Sequence, residues 1–207
     1  MKTLNKAIGL LALCAPVAWA GPTEDLVKIL AGVQSMQAGF EQTILDRGGT
    51  RLQQAGGELA VARPNQFYWH AEQPFEQVIV SNGQRVSIYD VDLEQVIERP
   101  LSGQMGATPA LLFSGQPEQV ATEFRVELGE QEGNRRTFRL TPTGEDPLFT
   151  ALEVSFDGQA PETMRLEDAL GQQTIIDFVD VRLNGSVEAA LFRFTPPAGV
   201  DVIREDE

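Results

Sequence analysis

The sequence predicts a mainly β chain, an unclosed, curled antiparallel barrel of about ten or eleven strands with a short-helix lid over an apolar cavity. Three observations carry this. After Gly32, hydrophobicity alternates with a period of two through most of the chain, which places every second side chain on one face of a sheet. The alternating runs are short and separated by turns containing Gly, Asn or Asp, the pattern of consecutive hairpins. The helical signals are few and brief. A sheet this wide twists and curls, and its apolar face must be covered. Two small helices fill such a concavity less densely than a second sheet would, which leaves a hollow for a greasy ligand.

The N-terminus reads as an export signal. Lys2 and Lys6 form a positive region, and Ala7 to Val17 is an apolar stretch too short to span a bilayer. Ala18-Trp19-Ala20 has the small-x-small cleavage pattern, with Gly21 as the new N-terminus. The expected organisation is a signal peptide at 1–20 and a single domain at 21–207. Cys14 is the only cysteine of the 207 residues, and Leu13 before it is unlike the small residue that lipidation requires. The mature chain is therefore expected to have no thiol and no disulfide, as suits a periplasmic protein.

Mature residues open with a helix. Thr23 is the expected cap, Glu24 and Asp25 complement the first-turn dipole, and Leu26, Ile29, Leu30 and Val33 form one apolar stripe. Strand signals follow at Met36/Ala38/Phe40, Leu59/Val61, Phe67/Trp69 and Val78/Val80, the last running into the hairpin dipeptide Asn82-Gly83. Val86/Ile88 return, and Val96 and Ile97 precede Pro100. Later runs are Phe124/Val126/Leu128, Phe138/Leu140, Leu152/Val154/Phe156, Met164/Leu166 and Thr174 to Leu183. Leu101 to Gly106 breaks the pattern, and Thr108-Pro109 then starts a short apolar helix through Leu111, Leu112 and Phe113. Val187 to Leu191 reads as a further helical turn.

Composition excludes several classes of function. The chain carries 16 basic and 30 acidic side chains, a formal −14. Without its first 20 residues, which hold two lysines and no acid, the charge is −16. That opposes binding to nucleic acid or to an anionic membrane, and strong self-repulsion favours a monomer. The single histidine, His70, lies on the strand face opposite Phe67 and Trp69. With no second histidine, the usual zinc sets are absent. No G-x-S-x-G, Walker or G-x-G-x-x-G motif occurs. Adjacent acids such as Glu167 and Asp168 point to opposite faces of a strand. Neither an enzyme nor a metal or cofactor protein is expected. A glycosidase-like hydrolase would need distant carboxylates to meet in a cleft.

The expected apolar cavity is lined by Phe40, Leu59, Val61, Phe67, Trp69, Val78 and Val80, with Leu111, Leu112 and Phe113 from the lid. Arg63 shares strand parity with Leu59 and Val61, and Pro64 ends the pairing. Either Arg63 simply reaches solvent, or its five-donor fork sits at the rim of the hollow and donates to carbonyls of a lid helix.

These residues resemble a known family. Arg63-Pro64-Asn65-Gln66-Phe67-Tyr68-Trp69-His70 resembles the R-P-N-x-F-x-W-x motif of LolA, the periplasmic outer-membrane lipoprotein carrier. Phe40-Glu41-Gln42, Val80-Ser81-Asn82-Gly83 and Thr108-Pro109 resemble its F-x-Q strand, its V-S-[DN]-G hairpin and the start of its lid helix. Phe192 to Val200 resembles its C-terminal F-x-F-T-P-P-x-G-V. The resemblance implies a carrier that takes triacylated lipoproteins from an inner-membrane LolCDE-type ABC transporter to the outer-membrane receptor LolB. It also implies that Arg63 is the family arginine that ties the lid shut. A general lipocalin-like binder of apolar ligands is the alternative reading.

Overall fold

The structure is a computed structural model that describes residues 21–101, 111–144, 147 and 149–205. The predicted export signal at 1–20, the break after Leu101 and the Thr108-Pro109 helix start lie outside the described residues, as does the side chain of Leu111.

Helix α1 spans Pro22–Ala31 and buries Leu26, Ile29 and Leu30. Gly21, not Thr23, stands at its N-cap. The proline supplies a preset φ and lacks only an N–H that the first turn leaves unbonded anyway, so the helix starts before the threonine. Glu24 and Asp25 occupy the first turn as expected.

Twelve strands among the described residues form one sheet. They are β1 (Ser35–Leu45), β2 (Arg51–Ala62), β3 (Gln66–Gln73), β4 (Gln77–Asn82), β5 (Arg85–Asp90), β6 (Gln95–Pro100), β7 (Phe124–Glu132), β8 (Arg135–Pro142), β9 (Ala151–Asp157), β10 (Ala160–Glu167), β11 (Gln173–Leu183) and β12 (Asp201–Arg204). Their order is β12-β6-β5-β4-β3-β2-β1-β11-β10-β9-β8-β7. Two meanders thus join where β1 pairs with β11, and the curled sheet stays unclosed between β7 and β12. The count exceeds the expected ten or eleven because β12 pairs in parallel with β6 beyond Pro196-Pro197. A four-residue strand at the chain end has no period long enough to read.

The inner face carries the main core. Met36, Ala38 and Phe40 of β1 lie beside Val61, Leu59 and Gly57 of β2, and Val61 and Leu59 lie beside Phe67 and Trp69 of β3. Phe138, Leu140, Val154, Phe156, Met164 and Ile176 continue the same buried cluster across the second meander. Two short helices, α2 (Leu111–Ser114) and α3 (Gln119–Glu123), follow β6. α2 packs on β1, β2 and β3, while α1 packs on α3 and β7. The helices therefore cover the inner face.

Val78 and Val80 are corrected by the register. Trp69 pairs with Ile79 and Phe67 with Ser81, whereas Val78 opposes His70 and Val80 opposes Tyr68. Paired residues share a face, so Ile79 and Ser81 face inward and the two valines face outward. The outward valines looked like cavity residues because the outer face is also apolar here. Ala60, Val80, Val96 and Phe192 are buried outside the main cluster, under the 3₁₀ turn Ala189–Phe192, which packs on β3 and β4. That turn coincides with the helical signal near Val187 to Leu191. Where both faces of a strand are covered, parity carries little information.

Gly57 is a required gap in this layer. The register shifts between Gly56 and Gly57, and a Cβ on Gly57 would lie 1.8 Å from the carbonyl oxygen of His70. The bare position also lies between Phe40 and Ala71, and the Phe40 and Trp69 rings stack with centroids 3.8 Å apart. Gly57→Ala should cost about 2–3 kcal/mol through backbone displacement, read as a lower urea midpoint with an unchanged slope. A midpoint equal to that of the unaltered protein would refute the packing account. The corrected parity has its own test. Ile79→Asp should destabilise by more than Val78→Asp, because an aspartate at 79 enters the main core and one at 78 lies on the half-buried outer face; equal urea midpoints would contradict the register.

Candidate functional site: an apolar interior closed by an arginine fork

Seven of the expected cavity residues meet. Phe40, Leu59, Val61, Phe67, Trp69, Leu112 and Phe113 belong to one buried cluster. Phe113 reaches across it, with its ring edge-on to Phe156 and Phe178 at centroid distances of 6.4 and 5.7 Å. α2 thereby bridges the two meanders rather than resting on one. Ile79, Val86 and Ile88 extend the cluster on the side where Val78 and Val80 had been expected.

Arg63 sits one residue beyond β2, with its backbone N–H donating to Gln34 O at 3.1 Å. Its side chain turns toward the helix layer. Nε donates to the carbonyl of Val33 at 2.6 Å, and an η-nitrogen donates to that of Leu30 at 2.9 Å. Leu30 lies in the last turn of α1 and Val33 two residues beyond the helix, at the end where the helix dipole concentrates negative charge. The planar fork reaches both carbonyls at once. Partial burial pulls the guanidinium below its ordinary pKa, and the Glu118 carboxylate partly opposes that shift. Of the two placements open to Arg63 in the sequence, the structure shows contact with helix carbonyls.

A second residue secures the same helix end. Asn184 Nδ2 donates to Gly32 O at 2.8 Å, and Asn184 Oδ1 accepts from Gln34 N–H at 2.7 Å. Asn184 has φ 58, a conformation asparagine tolerates. The sequence signal was the dipeptide Asn184-Gly185, legible as a turn but silent about its long-range partner. Together Arg63 and Asn184 engage four backbone groups between Leu30 and Gln34.

The turn after Arg63 ties the other helix. Asn65 N–H donates to Ser114 O at 2.8 Å at the end of α2, and Ser81 Oγ donates to Asn65 O at 2.8 Å. Residues 63–65 thus contact the end of α1 and the end of α2. His70 points away from this assembly, with Nε2 3.0 Å from Glu76 Oε1. Among the described residues no cluster of His, Cys, Asp and Glu is placed to hold a metal, and no helix is long and apolar enough to cross a membrane.

Comparison with known proteins gives this arrangement a family. A family model described as outer membrane lipoprotein carrier protein LolA matches residues 31–195. The outer-membrane lipoprotein carrier protein of Alcanivorax borkumensis is 50% identical over 195 residues, covering 94% of this chain and 93% of its own length. That of Chromohalobacter salexigens is 44% identical over 188 residues, covering 91% and 89%. That of Pseudomonas aeruginosa is 40% identical over 201 residues, covering 96% of both. Among solved structures, an uncharacterized conserved protein from Thermus thermophilus superposes with a TM-score of 0.53 at 15% identity, covering 88% of this chain and 97% of the other. MucB superposes with a TM-score of 0.50 at 14% identity, covering 87% and 65%. At these identities the likeness is one of fold. An unclosed sheet with an apolar inner face under short helices, matched along most of its length by named carriers, places this chain in the LolA family of outer membrane lipoprotein carrier proteins.

Proposed function

We propose that this protein is a periplasmic carrier, not an enzyme, that shields the acyl chains of lipoproteins between an inner-membrane LolCDE-type transporter and a LolB-type outer-membrane receptor. The observation that carries the reading is the Arg63 fork, closed on the carbonyls of Leu30 and Val33 at the end of α1 beside a continuous apolar cluster. The 40–50% identity to named lipoprotein carriers supports the cargo class.

The physics of the task fits this geometry. Each acyl CH₂ removed from water is worth about 0.8 kcal/mol, so three chains exposed to water would cost tens of kcal/mol. An apolar interior recovers much of that without rigid polar anchors. In the closed arrangement the lining side chains are already packed against the helices, so chains enter only as those helices move outward. That movement breaks the Arg63 bonds, each worth roughly 1.5–3 kcal/mol as a charge-assisted contact. Closure therefore competes with cargo. The competition holds affinity below its maximum and lets the receptor take the lipoprotein.

The decisive measurement is a two-step transfer assay with purified carrier, transporter, lipoprotein and receptor. Arg63→Leu should accept lipoprotein normally yet fail to pass it on, because nothing pulls the lid shut. Arg63→Lys should release partially, since an ammonium does not reproduce the fork. Normal release by Arg63→Leu would overturn the latch. Depletion of the protein in its source bacterium should strand lipoproteins at the inner membrane, and correct sorting would count against the carrier role.

Hydrogen exchange provides an independent check. Arg63→Leu should speed exchange of the α1 amides by about tenfold or more while core β-strand amides stay protected. Asn184→Ala should loosen the same helix end and lower stability by about 1–2 kcal/mol in urea titration. Unchanged α1 exchange in both variants would show that the helix is held by packing alone.

A further inference from the structure

The buried polar residues among those described are Ser81 and Ser114. Ser81 has partners, since its hydroxyl donates to Asn65 O and accepts from Gly83 N–H at 3.2 Å. Ser114 does not. Its residue is 0% exposed, and Oγ has no hydrogen-bond partner. Leaving a hydroxyl unbonded in an apolar interior is among the costlier features a fold retains, and each such group calls for a reason.

The surroundings define what would satisfy it. Ser114 follows Leu112 and Phe113, which are buried in the main cluster, and α2 packs on the strands that carry Leu59, Phe67 and Trp69. Its own carbonyl is held by Asn65, two residues after Arg63. Ser114 therefore stands where the apolar cluster meets the turn that closes α1. The group of an acyl chain that can accept from a hydroxyl in such a place is the carbonyl of its ester or amide. That carbonyl accepts but never donates, and it loses its water on entry. A serine hydroxyl rotates freely and donates.

We infer that Ser114 is a carbonyl-binding residue of the acyl site, donating through Oγ to the ester or amide carbonyl of a bound acyl group. This rests on the acyl-binding reading and adds a chemical preference to it. The protein selects carbonyl-linked chains over ether-linked or purely hydrocarbon ones of equal length. It also orients the chain, with the carbonyl at the Arg63 end and the tail along the cluster. Once the fork leaves the α1 carbonyls, Arg63 becomes a second donor at the same turn.

The test compares 1-monopalmitoyl glycerol with its ether analogue, 1-O-hexadecyl glycerol, each displacing a fluorescent apolar probe from the full chain. The unaltered protein should prefer the ester by about five- to tenfold, the range of one net hydrogen bond. Ser114→Ala should bring the ratio near one while ether affinity stays the same, and Ser114→Thr, which keeps a hydroxyl, should preserve the preference. Ser114→Ala should also melt about 2–4 °C higher, since an unsatisfied buried hydroxyl has gone; Ser114→Gly serves as a second hydroxyl-free variant. An ester preference that survives in both hydroxyl-free variants, or that is absent from the unaltered protein while both glycerides bind, overturns the assignment and leaves acyl binding standing. Failure of both glycerides to displace the probe overturns the acyl-binding reading and this assignment together.

Discussion

An apolar sheet face that never closes on itself must be covered by something else, and this constraint shapes the rest of the molecule. A closed barrel would seal Phe40, Leu59, Val61, Phe67 and Trp69 permanently. Here the sheet ends at β7 on one side and β12 on the other, and the cover is supplied by short helices. Such helices are too brief to be stable alone. α1 has ten residues and α2 four. They persist because they pack on the sheet and because specific side chains hold their ends. A cover of this kind is the part of the fold that can move while the sheet stays intact.

The restraints are few and concentrated. Arg63, Asn65 and Asn184 lie in turns that follow β2 and β11, and together they hold the end of α1 and the end of α2. All three use backbone partners at or just beyond the helix ends, so the contacts depend on where the helix ends lie and not on which side chains the helices carry. Charge assistance and bidentate geometry make the Arg63 contact the strongest of the set. The interior beneath contains mostly aliphatic and aromatic groups, which attract chains without fixing them to one register. Firm closure at the rim and a soft apolar interior are what the proposed carrier role requires.

The outer face shows why parity reasoning had a limit. Along β7 to β10 the outward side chains are charged or hydroxylic, as in the pairs Arg139–Glu153 and Thr137–Ser155, and alternation reads cleanly there. Along β3 to β6 the C-terminal segment covers part of the outer face, with Phe194 against Tyr89 at 5.8 Å between ring centroids. Val78, Ile79 and Val80 then form a continuous apolar run with no polar residue to mark its phase. At β4, where both faces are shielded, only the register against β3 sets which residues face inward.

Much of the fold was legible in residues close together in the chain. The period of two gave strand after strand, Asn82-Gly83 gave a turn, and the unbroken parity of Leu59, Val61, Phe67 and Trp69 gave the inner lining. Local physics suffices there because alternation and turn chemistry are written within a few residues. The site needed more. Arg63 meets carbonyls about thirty positions earlier, Asn184 closes on a helix about 150 positions earlier, and Ser114 is buried without a partner only because α2 lies on β1 to β3. The phase of β4 likewise depends on its register against β3 and on a C-terminal turn packed behind it. Sequence alone determined the curled sheet, its apolar lining and the arginine at its rim. Tertiary structure decided which carbonyls that arginine holds and which polar groups are left buried without a partner, because those depend on distances between segments that only the folded chain brings together.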